Sequence, residues 1–315
     1  MHATGVGGTE RLCHTRRALG RWQLTMPELP EVETIVRGLA RRVTGDAIES
    51  VWLGEKPEPL KSPAQEIVSA LERARIAGVR RVGKHIVFDL SRQSKNSRPR
   101  KGSRQSLVVS RKQKSAAGSQ FIVHLGMTGQ LLVARPEAEI ERHTHAIVRL
   151  ESGRELRFVD PRRFGRLSVA RHGFDAAGAE PLGADPELFA RLFHGRKTPI
   201  KSALLNQKLL RGVGNIYADE SLFRAGVRPR RRAASLTRAE LLRLRDALQK
   251  VLREAIAAGG SSVSDYVDAD GDRGFFQFQH RVYGREGEPC LVCRSHIKRV
   301  VISGRSAHYC PKCQR

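Results

Sequence analysis

CLVCRSHIKRVVISGRSAHYCPKC, residues 290–313, decides how the rest of the chain is read. Cys290-x2-Cys293 and Cys310-x2-Cys313 are separated by sixteen residues, the spacing of two knuckles on a hairpin that together offer four thiolates to one tetrahedral metal. Four of the five cysteines fall in the last 26 residues of a 315-residue chain, which is long enough for two or three domains with apolar cores of their own. That distribution reads as a metal site in a reducing, intracellular setting; a pair of disulfides or four unligated thiols is the alternative. Four protein ligands leave no open coordination position, so the expected zinc is single and structural. Arg305 lies in the turn-like SGR between the pairs, either in reach of a phosphate or simply solvated.

The formal charge of +25 and the isoelectric point near 11.0 favour a polyanionic partner, nucleic acid or an anionic membrane. No run of about eighteen apolar residues is present, which excludes a spanning helix, and the basic segments lack the apolar face of an interfacial one. Nucleic acid is therefore the expected partner, with no membrane. Residues 1–26 read as a non-native or cleaved extension. Residues 91–119 carry nine Lys or Arg and no acid, and read as a disordered basic loop inserted between two strands. Removing nine charges for this loop and three for residues 1–25 from +25 leaves +13, so the folded body is itself basic.

Upstream of the cysteines the chain divides by periodicity. Val32, Ile35, Val36, Leu39 and Val43 recur at helical spacing, with Pro30 suited to the first turn and Glu31 and Glu33 to the helix N-terminus. After this one helix, SVWLG, GVRRVG, HIVFDL, FIVHL, QLLVA, HAIVRL, ELRFVD and GRLSVA read as strands of a sandwich. From Asp185 to Ala258 the pattern is helical, through PELFARLF, PIKSALLNQKLL, IYADESLFRAG and LTRAELLRLRDALQKVLREAIAAG. Gly212-Val-Gly-Asn215 reads as a tight turn leaving backbone donors near a helix N-terminus, a natural phosphate site, although ordinary helix connections also use glycine. The expected fold is α+β and multidomain. It comprises an N-terminal β-sandwich-like domain (27–183), a helical domain (184–260), a polar lid-like region (261–284) and a four-cysteine zinc finger (285–315).

MPELPEVET at 26–34 resembles the processed amino terminus of the formamidopyrimidine-DNA glycosylases, which begins with the proline once methionine is removed. GKHIVFDL around Lys84, HLGMTG at 124–129, DPRRFG at 160–165, KLLRGVGNIYADESLF at 208–223 and the cysteine pairs follow in that family's order. The resemblance makes the helical domain a helix-two-turn-helix and implies a bifunctional glycosylase and abasic-site lyase of base excision repair. It would excise 8-oxoguanine opposite cytosine and formamidopyrimidines through a Schiff base on Pro27, followed by β,δ-elimination. Glu28 is then a proton donor, and Glu31 either orients the amine or holds the helix start. Lys84 and Arg305 are proton donors in the β and δ steps, or DNA contacts.

By the same resemblance Met127, Arg162 and Phe164 fill the void left by a flipped base, while Lys201 and Asn215 touch the DNA backbone. His124 is a core histidine or a phosphate contact. The expected partner is double-stranded DNA with oxidised bases or abasic sites, bound by a monomer in the bacterial cytoplasm on nucleoid DNA. Inside a peptide Pro27 has only a tertiary amide nitrogen, so translation from Met26 is the favoured start. PELPEVET, HLGM and DPRRFG favour the purine branch over an endonuclease VIII-like enzyme for oxidised pyrimidines. A non-catalytic damaged-DNA-binding protein is the alternative if Pro27 is never freed.

Overall fold

The computed structural model describes residues 26–92, 118–171, 173–262 and 266–315. All but Met26 of the expected N-terminal extension, nearly all of the basic loop and part of the lid-like region lie outside these residues.

Helix α1 (Leu29–Val43) opens the N-terminal domain and buries Val32, Ile35, Val36, Leu39 and Val43, the stripe its spacing required. Eight strands follow: β1 (Ile48–Leu53), β2 (Ala74–Val82), β3 (His85–Arg92), β4 (Gln120–His124), β5 (Gln130–Ala134), β6 (Thr144–Leu150), β7 (Glu155–Val159) and β8 (Arg166–Ala170). They form two antiparallel four-stranded sheets, ordered β1-β6-β7-β5 and β2-β3-β4-β8. Leu131, Val148, Leu156 and Phe158 of the first meet Ile86, Phe88, Phe121, Val123 and Leu167 of the second in one core, which the α1 stripe joins. A second helix, α2 (Ala64–Leu71), stands where only strands and turns were expected. Two turns anchored by Ile67 and Leu71 are too short for their period to show in sequence.

The helical domain contains α3 (Pro186–Phe193), α4 (Ile200–Leu204), α5 (Asn215–Ala225) and α6 (Arg238–Ala257). Asp185 caps α3 through Leu188 N (2.7 Å), and Thr237 and Glu240 form a capping box on α6. Phe189, Phe193, Leu210, Tyr217, Leu244 and Leu248 fill its core. PIKSALLNQKLL is helical only as far as Leu204, because the Asn206 side chain accepts from Lys208 N at 2.9 Å and folds the rest into turns.

The finger is an antiparallel hairpin of β9 (Lys298–Ile302) and β10 (Arg305–Tyr309), whose small core docks on α5 through Phe223. Residues 266–272 of the expected polar lid are anchored: Tyr266 and Ala269 are buried in the N-terminal core, and Val133 N donates to Ala269 O at 3.1 Å. No helix among the described residues is long and apolar enough to cross a membrane.

Candidate active site

A cavity of about 830 Å³ opens where the three units meet, and its wall includes Met26, Glu28, Lys84, His124, Met127, Asn215, Tyr283 and Arg305. Glu28 stands at the N-cap of α1 and is 2% exposed. Its Oε1 accepts Ile216 N at 3.1 Å in the first turn of α5, so one carboxylate serves two helix N-termini. Gly214 makes this approach feasible, since a Cβ there would lie 2.2 Å from the Glu28 carboxyl carbon. Glu28 Oε2 is buried without a hydrogen-bond partner among the described residues, a costly state that leaves it open to a ligand.

Burial pushes the Glu28 carboxyl up to about 7, against the pull of the Lys84 charge. Burial lowers the Lys84 ammonium, opposed chiefly by Glu28. A cation and a carboxyl therefore face one cavity with their proton affinities drawn together, which is the arrangement proton transfer requires. Glu31 spends its oxygens on Glu28 N (2.9 Å), Ser261 N (2.8 Å) and the Tyr217 hydroxyl, binding α1, α5 and the start of the lid-like region to one another. Met26 reaches the cavity and Pro27 is buried behind it.

His124 accepts Gly126 N on Nδ1 at 3.1 Å, which leaves Nε2–H as the donor. Burial, with the His85, Lys84 and Arg166 charges adding to it, lowers this ring to about 4, so it is neutral at pH 7. Met127 reaches the cavity wall, whereas Arg162 and Phe164 stand outside it on the neighbouring loop. The Arg162 guanidinium covers the Phe164 ring at 4.6 Å, and Phe164 is 48% exposed. Gly126, at φ 66°, lets the Met127 loop pack onto the Phe164 backbone, where a Cβ would come within 2.6 Å. Asp160 ties the two loops from below: it accepts Thr128 Oγ1 (2.6 Å) on Oδ1 and Gly165 N (2.7 Å) on Oδ2.

Lys201 departs from expectation. It does not face solvent where DNA would lie; its side chain is 1% exposed, 2.6 Å from Asp219 Oδ1, and donates to Ser306 O. A lysine whose stem belongs to a core helix reaches a buried carboxylate before it reaches a phosphate. Asn215, the first residue of α5, does line the cavity and donates to Ser306 Oγ at 3.3 Å. Asp160, Tyr217, Asp219, Glu220 and Tyr283 were missed by sequence reasoning as parts of the site. Most lie inside quoted motifs, but a helix acid such as Glu220 reads as a solvated face until its carboxylate is seen accepting Arg281, Val282 and Tyr283 N–H groups.

The four finger sulfurs lie within 4.8 Å of one another, with Cys290 to Cys313 at 3.9 Å and Cys293 to Cys310 at 3.3 Å. Tetrahedral zinc with bonds of about 2.3 Å requires sulfur separations near 3.8 Å. Backbone N–H groups of Val292 and Cys313 point at Cys290 and Cys310 sulfurs (3.4 Å each), as they do around thiolates. The donor set fits one structural zinc.

Family models match in sequence order. The N-terminal domain of formamidopyrimidine-DNA glycosylase covers 26–167, its helix-two-turn-helix domain 178–267, and the zinc finger found in these enzymes and in isoleucyl-tRNA synthetase 287–315. The Solibacter usitatus formamidopyrimidine-DNA glycosylase is 42% identical over 298 residues, covering 92% of this chain and 100% of the relative. The chain belongs to the formamidopyrimidine-DNA glycosylase family. The Gluconobacter oxydans enzyme is 39% identical over the same shares of both chains. The Thermus thermophilus MutM (Fpg) crystal structure superposes with a TM-score of 0.75 at 40% identity, covering 91% of this chain and 98% of that one. A Lactococcus lactis Fpg variant in complex with Fapy-dG-containing DNA gives 0.76 at 29% identity, over 92% and 100%. This member is a DNA glycosylase of base excision repair, and abasic-site lyase activity through a Schiff base is typical of the family.

Proposed function

We propose that Pro27, freed at its nitrogen, attacks C1′ of an oxidised purine nucleoside in duplex DNA, 8-oxoguanine opposite cytosine or a formamidopyrimidine. The attacking amine gives up its proton and the glycosidic bond breaks with its electron pair leaving on the base; the C1′–O4′ bond then opens, O4′ taking a proton, and an iminium joins Pro27 to C1′ of the open sugar. Loss of a C2′ proton then expels the 3′ phosphate, and a second elimination expels the 5′ phosphate. Glu28 is the proton donor to the departing group; Lys84 and Arg305 assist the two eliminations or hold phosphates; Asn215 and His124 bind the backbone. Met127, Arg162 and Phe164 fill the vacated stack. Glu31 acts as a tether of the site. The partner is double-stranded DNA with oxidised bases or abasic sites, supported by the relatives' complexes and by the +25 charge. We place it in the bacterial cytoplasm on nucleoid DNA.

The observation that carries this reading is Glu28, buried at the mouth of α5, raised to about 7 and one residue from Pro27 in a cationic cavity. A carboxyl half protonated near neutral pH can give and retake one proton in a turnover. The family model's match begins at Met26, which supports Pro27 as the working terminus. The test is borohydride trapping on an 8-oxoguanine duplex, with a protein beginning at Pro27 beside a full-length protein whose processing is blocked. Only the first should crosslink, through residue 27, and Pro27→Gly should retain part of that reactivity. Equal trapping by intact full-length chain would assign the chemistry to another nucleophile, and no trapping by either would rule out the Schiff-base route.

A further inference from the structure

We propose that Asp219, through its buried contacts with Lys201 and His308, is a positioning residue that fixes Arg305 in the active cavity. The proposal rests on the reading of Arg305 as the group that assists the second elimination. Arg305 is the first residue of β10 and reaches the cavity from the finger's hairpin tip. A two-stranded hairpin is marginal by itself, so its tip needs outside fixation if a side chain there is to act.

That fixation comes from the helical domain and falls on both sides of Arg305. Before it, Ser303 Oγ lies 2.9 Å from Ser202 Oγ of α4. After it, Lys201 donates to Ser306 O, and Asp219 Oδ2 accepts His308 N at 2.8 Å and faces His308 Nδ1 at 3.2 Å. Asp219 Oδ1 meets Lys201 Nζ at 2.6 Å, so one fully buried carboxylate of α5 holds β10 directly and also holds the lysine that grips the preceding carbonyl. Burial lowers the Lys201 ammonium while Asp219 sustains it. A buried ion pair contributes little net stability against apolar residues of like volume, and its contacts have one satisfactory geometry. What it supplies here is register between α5 of the helical domain and β10 of the finger.

The finger's far end is fastened separately. Arg228 donates to Pro311 O and Gln314 O at 2.9 Å each, and Gln314 Nε2 donates to Val227 O at 2.8 Å. Releasing Asp219 should therefore loosen the tip without detaching the finger or losing zinc. The effect should concentrate on the step that uses Arg305.

The test is single-turnover cleavage of 8-oxoguanine and abasic duplexes by Asp219→Asn, Asp219→Ala, Arg305→Ala and the double variant Asp219→Ala/Arg305→Ala, with zinc content and thermal unfolding confirming each fold. Asp219→Ala should slow conversion of the β-elimination product to the β,δ product about tenfold more than it slows base release, since misplacement by about 1 Å can cost 10²-fold in a positioned step. Asp219→Asn, which keeps an acceptor for His308, should fall between. The double variant should be no slower in that conversion than Arg305→Ala, because a group acting through another has no effect once the other is gone. Equal slowing of all steps, or additive losses in the double variant, would overturn the proposal and leave Asp219 a structural residue. If Arg305→Ala itself leaves the second elimination intact, the reading of Arg305 fails, and a selective effect of Asp219→Ala would then have to act through some other group. If Asp219→Ala does not fold, Asp219→Asn decides, alone and with Arg305→Ala.

Discussion

The Glu28 carboxyl occupies the space in which a side chain at Gly214 would begin, 2.2 Å from carboxyl carbon to Cβ position. The turn that presents backbone donors at α5 and the carboxyl beside Pro27 are thus one packed unit. Gly214→Ala should push Glu28 off Ile216 N, costing about 1–3 kcal/mol of stability by overpacking and about 10²-fold in excision. Excision within twofold of wild type in a folded Gly214→Ala protein would show that the Glu28 position is unimportant.

Glu28, raised from 4.5 to about 7, prefers its protonated form when folded. Its contribution is complete below the unfolded value and is lost as pH rises through 7, by up to roughly 3 kcal/mol from a shift of this size. Glu28→Gln cannot ionise, so its stability relative to wild type should climb between pH 5 and pH 8. Chemical denaturation across that range is the measurement; a difference that does not change with pH would contradict the buried-carboxyl account.

Asp160 joins the Met127 loop to the Arg162–Phe164 loop through Thr128 and Gly165. Asp160→Ala should cost about 2–4 kcal/mol by orphaning buried donors, and should blunt discrimination between cytosine and adenine opposite the lesion. Excision rates on the two duplexes settle it, unchanged discrimination being the adverse result.

Cys290→Ser, or prolonged chelation, should release the zinc and weaken DNA binding while the two larger cores stay folded. The finger buries only a handful of apolar groups and draws its folding free energy from the metal. Full DNA affinity in a zinc-free protein would oppose this.

The basic insertion, outside the described residues, should add affinity without specificity. Deleting Gln93 to Gly118 should flatten the slope of log K against log salt by about 0.9 for each phosphate that the insertion neutralises, and spare excision at saturating DNA. Collapse of excision in the folded deletion variant would make the insertion part of the active site.

The eight strands and the long helices were legible because alternation and the 3.6-residue period report directly which side chains face a core, and α1 and α6 are long enough for that signal to accumulate. Helix α2 was not, for want of length. The motifs located Glu28, Lys84, Met127, Asn215 and Arg305, which the fold does bring to one cavity. They named Lys201 as a DNA-backbone contact but could not show its burial against Asp219, because a lysine's spacing says which helix carries it and nothing of the carboxylate that awaits it.

The zinc ligands follow from sequence alone and the motifs name the chemical type of the site, since thiolate spacing and motif order are properties of the covalent chain. The environment of those groups does not follow. Glu28 has its neutral-range proton affinity because α5 folds over it from 188 residues away, and Arg305 reaches the cavity with Ser202, Lys201 and Asp219 of the helical domain holding the hairpin on either side of it. Desolvation and register arise from burial between segments distant in sequence, and burial is decided by the tertiary structure.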